Sequence, residues 1–161
     1  MSKIMPCLWF DDQGEEAANF YVATFRDAGQ DAAITTVNRY GEGGRGTPGT
    51  VMTVIFTLAG QEFMALNGGP HFTFSPATSL VVKCADQAEI DHFWDRLMAG
   101  GGKPSQCGWL TDRFGFSWQV FPTPLADMLQ DPDPARVARI TRAFLGMSKL
   151  DLATLERAFH G

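Results

Sequence analysis

The feature that most constrains this chain is an internal repeat. Glu16, Ala17, Phe20, Tyr21, Thr24 and Phe25 recur as Glu89, Ile90, Phe93, Trp94, Leu97 and Met98, offset by 73 residues. Just upstream, Asp12-Gln13 returns as Asp86-Gln87 with a one-residue slip. Both sets fall at helical spacing, so each writes one apolar face of a helix. An apolar strand precedes each face, and further β-rich segments come after it. A sequence that repeats strand, helix and strands reads as a duplicated unit in which one helix packs on one sheet. The aromatic pairs are then core residues first, each large buried side chain contributing on the order of 1.5–3 kcal/mol.

In the first copy the pattern predicts a strand over residues 4–10. A helix comes next, opened by the capping and first-turn acids Asp11, Asp12, Glu15 and Glu16 and ending near Arg26. Strands are expected over 33–40, 50–58 and 62–66, the last two joined at Ala59-Gly60. In the second copy a strand is expected over 79–85. Asp86 and Glu89 then open a helix, which Gly100-Gly101-Gly102 stops. A hairpin of 106–111 and 116–121 turns at Asp112-Arg113-Phe114-Gly115. Residues 68–78 are rich in turn formers and connect module 1–67 to module 79–161. Beyond Pro122 and Pro124, helices are expected over 125–130, 134–145 and 152–160, with 145–150 ambiguous between a loop and a last edge strand. The expected fold class is α+β: two βαβββ modules around a central cleft, plus C-terminal helices, as one domain over 1–161.

Composition narrows the function classes. With 161 residues the chain should bury roughly 70% of its unfolded surface and needs no disulfide or metal to fold. Lys plus Arg is 13 against 18 Asp plus Glu, a net charge of −5, which suits neither nucleic acid nor an anionic membrane. No apolar run approaches the ~18 residues of a membrane helix, and the first residues do not read as a secretory signal. Cys7, Cys84 and Cys107 are odd in number and widely spaced, without a CxxC, so reduced thiols and a cytoplasmic location are expected.

Motifs for chemistry are sparse. The run Gly41-Glu42-Gly43-Gly44-Arg45-Gly46 lacks the succeeding helix that a phosphate cradle needs. It reads as a mobile surface loop or as a flap over a ligand cleft, with Arg45 as an anion contact. His92 falls on the solvent side of its helix and His160 is penultimate. His71, beside Pro70 and Phe72, is a structural histidine or the one candidate proton carrier. No carboxylate falls inside an apolar strand except Glu62, so no buried general base is expected. The block from Cys107 to Gln119 holds Trp109 and Trp118, which serve as core or as the wall of an apolar pocket.

Four segments together resemble a known family: Pro6-Cys7-Leu8-Trp9-Phe10-Asp11, Glu16-Ala17-Ala18-Asn19-Phe20-Tyr21, Asn67-Gly68-Gly69-Pro70-His71-Phe72, and Cys107-Gly108-Trp109-Leu110-Thr111-Asp112 with Phe114-Gly115 and Ser117-Trp118-Gln119. The chain resembles the PhnB-like group of the vicinal oxygen chelate superfamily, which includes glyoxalase I, extradiol dioxygenases and bleomycin-resistance proteins. Members of the group often carry the label 3-demethylubiquinone-9 3-methyltransferase.

The resemblance implies metal ligands on the first and last strand of each module. By position these fall near Met5-Pro6 and Ser79, and near Met64-Ala65 and at Gln119. Only Gln119 suits a divalent ion, so no metal and no cofactor is expected, and the cleft is left as a pocket. The pocket is expected to be apolar and aromatic, lined by Met64, Asn67, His71, Trp109 and Gln119, and to take a small apolar or aromatic metabolite. If Trp118 and Val120 pack on the helix, Gln119 faces the cleft, because strand side chains alternate. The competing class is an enzyme: a lyase, isomerase or dioxygenase of the superfamily, or the methyltransferase of the label. The superfamily also implies a homodimer.

Overall fold

The computed structural model describes residues 2–161. In strand β1 (Cys7–Phe10), Leu8 and Phe10 are buried while Cys7 and Trp9 lie on the other face. The buried side meets helix α1 (Gly14–Asp27), which contributes Ala17, Ala18, Tyr21, Val22 and Phe25. Strands β2 (Ala32–Arg39), β3 (Val51–Leu58) and β4 (Gln61–Asn67) complete a four-stranded sheet in the order β1-β4-β3-β2. β1 pairs with β4 in parallel, and the other pairs are antiparallel.

The second copy repeats this plan. Strand β5 (Ser79–Cys84) leads into helix α2 (Gln87–Met98), then β6 (Lys103–Pro104), β7 (Trp109–Thr111) and β8 (Ser117–Pro122). The order is β5-β8-β7-β6, with β5 and β8 parallel. α2 buries Ile90, Phe93, Trp94 and Leu97, and the aligned α1 residues Ala17, Tyr21 and Thr24 are buried too. The duplication legible in the sequence is therefore a duplication of topology. The chain divides into two compact units, the first ending at Phe74 and the second covering Ser75–Gly161.

Helices α3 (Thr123–Met128), α4 (Pro134–Leu145) and α5 (Leu152–His160) belong to the second unit. Leu125, Ile140, Leu150 and Leu155 are fully buried. The Arg139 guanidinium donates to the carbonyls of Ala158 and Phe159, both at 3.1 Å, and so closes the C-terminus of α5. A latch holds the segment between α4 and α5. Gln87 of α2 donates to Leu150 O at 3.2 Å and accepts from Leu152 N–H at 2.8 Å, and Lys149 meets Asp91 at 2.8 Å. The hydrogen bonds from Lys149 and Gln87 hold the Asp91 carboxyl below its ordinary range.

Two differences from the sequence pattern have clear causes. The expected strand 106–111 shortens to Trp109–Thr111 because Cys107 and Gly108 both take positive φ, 59° and 83°. Their N–H groups turn aside and donate to Met147 and Ser148 carbonyls at 2.8 Å each. Leu145 thus ends α4, and residues 146–150 are neither free loop nor strand but a two-bond flank on that turn. The second difference is a buried carboxylate. Asp112, 2% exposed, accepts from the N–H groups of Phe114 and Phe116 and from Trp118 Nε1 at 2.8–3.0 Å. It fixes the hairpin and is no general base.

No described helix is long and apolar enough to cross a membrane. Replacing Asp112 by Ala would orphan three donors in the core. The expected loss is on the order of 3 kcal/mol in urea unfolding, with Asp112→Asn costing clearly less because its amide oxygen still accepts.

Candidate functional sites in each unit

In each sheet the helix covers one face and leaves the other without a helix. In the second unit, Leu110, Val82, Cys84, Trp118 and Val120 are buried on the α2 side. Trp109 and Val81 sit directly opposite Gln119 on its two neighbouring strands, so all three share the other face. Trp109, Gln119 and Phe121 are half-buried there, and Val81 is 49% exposed. The amide Nε2 of Gln119 donates to Ser79 Oγ at 3.0 Å. Its Oε1 has no partner among the described residues and is available as an acceptor.

In the first unit the corresponding face carries Cys7 and Trp9, paired in register with Met64 and Leu66. The loop between β2 and β3 adds to it. Tyr40 N–H donates to Thr50 O and Gly49 N–H to Tyr40 O, at 2.9 and 2.8 Å, closing the loop at its base. The loop then folds onto the Tyr40 ring. A Cβ on Gly46 would lie 2.3 Å from that ring, so only glycine fits the contact. The Tyr40 hydroxyl donates to Asn67 O at 2.5 Å. The glycines here serve close approach to an aromatic ring as well as turning, which the run of glycines in the sequence does not distinguish from a mobile loop.

Two cavities flank this loop. One, of about 590 Å3, is lined by Trp9, Met52 and Leu66 below and by Tyr40 and loop residues 41–45. The other, of about 720 Å3, carries charges of both signs: Asp11, Asp12 and Glu15 at the turn into α1, Arg39 at the end of β2 and Arg45 in the loop, with Asn67 and His71 beyond. Of the residues singled out from sequence, Asn67 and His71 thus line one cavity and Trp109 and Gln119 are cross-strand neighbours. Met64 lies on β4 opposite Cys7 and lines neither cavity. Trp9, Tyr40, Met52 and Leu66 were not singled out. The alternation of β1 and β4 is the signal that could have found Trp9 and Leu66.

Asn67 does more than line a wall. Its Oδ1 accepts from Gly14 N–H at 2.7 Å and its Nδ2 donates to Val51 O at 3.2 Å. It is this residue, from β4, that caps α1. Gln13 at the N-cap makes no side-chain cap, which corrects the expectation that the local acids supply it. A Cβ at Gly14 would sit 2.7 Å from Asn67 Oδ1, so the helix must begin with glycine. α2, by contrast, is capped locally as expected: Asp86 accepts from Glu89 N–H, and the Glu89 side chain reaches back past the N-cap to accept from Ala85 N–H.

Thiol and metal chemistry find little support in the donor set. Burial, and then the charges of Glu89 and Asp86, push the Cys84 thiol up to about 12. Burial also raises Cys7. Neither is a ready thiolate near neutrality. At the positions where the superfamily would hold a metal, Ser79 and Gln119 bond to each other, and Met64 faces Cys7. Among the described residues no three His, Cys, Asp or Glu come together as a metal site.

A family model described as 3-demethylubiquinone-9 3-methyltransferase matches residues 2–121. A PhnB protein of Bacillus cereus, provisionally labelled 3-demethylubiquinone-9 3-methyltransferase, is 38% identical over 76% of this chain and all of its own, with a TM-score of 0.67. A protein of Pseudomonas aeruginosa is 20% identical over 76% of this chain and 98% of its own, at a TM-score of 0.60. A glyoxalase/bleomycin resistance protein of Albidiferax ferrireducens is 16% identical over 76% of this chain and all of its own, at 0.51, which bears on fold alone. No curated protein matches the chain.

Because Asn67 caps α1 across the sheet, Asn67→Ala is expected to cost about 1–2 kcal/mol of stability. Asn67→Asp, which keeps the acceptor for Gly14, should recover part of that loss in thermal or urea unfolding.

Proposed function

The chain belongs to the PhnB-like family described as 3-demethylubiquinone-9 3-methyltransferase, within the glyoxalase/bleomycin resistance superfamily, and we propose that it acts by binding a small apolar or aromatic molecule. The observation that carries this reading is the Trp109–Gln119 pair. An indole and a free amide oxygen stand side by side on a sheet face that no helix covers, with Val81 and Phe121 around them. Stacking on Trp109 with one donor hydrogen aimed at Gln119 Oε1 is the pairing such a face supports. Asn67, His71 and Met64 remain residues proposed for ligand contact in the first unit.

The methyltransferase of the family's description is the alternative. A usual S-adenosylmethionine site is a glycine-rich strand-to-helix turn. Here the two such turns are acidic: Asp11-Asp12-Gln13-Gly14 after β1, and Ala85-Asp86 after β5. Negative charge at both helix starts disfavours a cofactor with its own carboxylate.

We also read the chain as a cytoplasmic homodimer. Cys7 is an exposed free thiol, which suits a reducing compartment. The edge strand β2 is exposed from Thr35 to Arg39, an edge that a second copy would protect. Light scattering at micromolar concentration should give about twice the 17.6 kDa of one chain, and a value at 17.6 kDa removes the dimer.

Binding is tested by tryptophan fluorescence and calorimetry against neutral aromatic molecules, with S-adenosylmethionine in the same panel. Trp109→Ala and Gln119→Ala are each expected to weaken a neutral aromatic ligand by about tenfold. Unchanged affinity in both variants would reject this placement. S-adenosylmethionine binding at about tens of micromolar or tighter would favour the methyltransferase instead.

A further inference from the structure

The cavity of about 590 Å3 in the first unit combines two kinds of lining, and the family description assigns a task to neither. Its apolar part is Trp9, Met52 and Leu66. Its charged part is Arg39, Arg45 and Glu42, one net positive charge in a chain whose net charge is −5. Such a volume is in the range that holds a small organic ligand.

The cations are available. Arg39 donates through Nη1 to Gly49 O at 3.0 Å, and the rest of its fork is uncommitted. Arg45 has no hydrogen-bond or ion-pair partner among the described residues, Glu42 included. The backbone that carries Arg45 is nevertheless held in place. Its neighbours Gly44 and Gly46 rest on the Tyr40 ring, Tyr40 is tied to Asn67, and Thr50 Oγ1 closes on Thr47 O at 2.6 Å. An unpaired guanidinium carried on that loop beside an apolar wall leaves its planar fork open to a ligand. The indole N–H of Trp9 is already bound to Gly69 O at 2.9 Å, so what Trp9 offers is ring surface and not a donor.

We propose that this cavity is a carboxylate-selective site for a small aromatic or aliphatic monocarboxylic acid, whose apolar body lies against Trp9, Met52 and Leu66 and whose carboxylate is taken by Arg45 with help from Arg39. The site lies wholly in the first unit, whereas Trp109 and Gln119 belong to the second. A doubly charged phosphate is disfavoured by the carboxylates of Asp11, Asp12 and Glu15 in the neighbouring cavity, which shares Arg39 and Arg45.

The test compares 2-naphthoate with its neutral analogue 2-naphthalenemethanol on the full chain. Calorimetry gives the affinities, and the indole N–H resonance of Trp9 reports the location. Naphthoate should bind at least about tenfold more tightly than the alcohol, the yield of one charge-assisted hydrogen bond. Arg45→Ala should erase that preference and leave the alcohol's affinity unchanged, while Arg45→Lys keeps part of it. Raising the salt should weaken naphthoate alone. Trp109→Ala should leave the preference intact, which separates this site from the other. The proposal falls if neither compound binds, if the two bind equally, if the preference survives Arg45→Ala, or if naphthoate shifts the Trp109 indole and leaves that of Trp9 unmoved.

Discussion

Each unit depends on one constraint, the parallel pairing of its first strand with its last. Parallel neighbours cannot be joined by a tight turn, so the chain must leave the sheet, cross it as a helix and return. α1 and α2 are those crossings, and each buries the face it crosses. The last strand then lies between the first and third, in the interior of the sheet. Leu66 and Gln119 therefore occupy the middle of the faces that no helix covers, with Trp9 and Trp109 on neighbouring strands. The residues proposed for binding are placed by topology before any local interaction acts.

The fold was legible because periodicity and punctuation agree. Phe93, Trp94 and Leu97 recur at helical spacing, and Trp118 to Pro122 alternates buried and half-buried, as a strand with one covered face should. The orientation of Gln119 came from the same alternation. The bond between Gln119 and Ser79 did not, because it joins positions 40 residues apart whose pairing only the assembled sheet defines. Asn67 is the sharper case. Its neighbourhood of turn residues marked it for a ligand, while its amide caps a helix that begins 53 residues earlier. Local capping rules point to Asp11 and Asp12, and an acceptor reached across the sheet displaces them.

Asp112 and the loop after Tyr40 show the same limit from the side of composition. An aspartate in an Asp-Arg-Phe-Gly turn looks like a solvated turn former. It is buried because Trp118 Nε1 needs an acceptor in the core. A run of glycines looks like flexibility, yet Gly46 is fixed by the ring it touches. Both readings need the identity of a partner that is distant along the chain or hidden by strand register. That information lies in the packing and not in any window of sequence.

The C-terminal segment carries a different consequence. The family match ends at residue 121, and the Bacillus cereus relative is covered from end to end by 76% of this chain. By that measure the last three helices look like an appendage, a tail that a shorter protein does without. Met147 and Ser148 nevertheless answer the N–H groups of Cys107 and Gly108, and Leu150 and Leu152 occupy both ends of the Gln87 amide. The added piece has become a tenant on whom the rest of the building leans. Its removal would not leave a tidy smaller module, but one with open seams at the turn into β7 and at the first turn of α2.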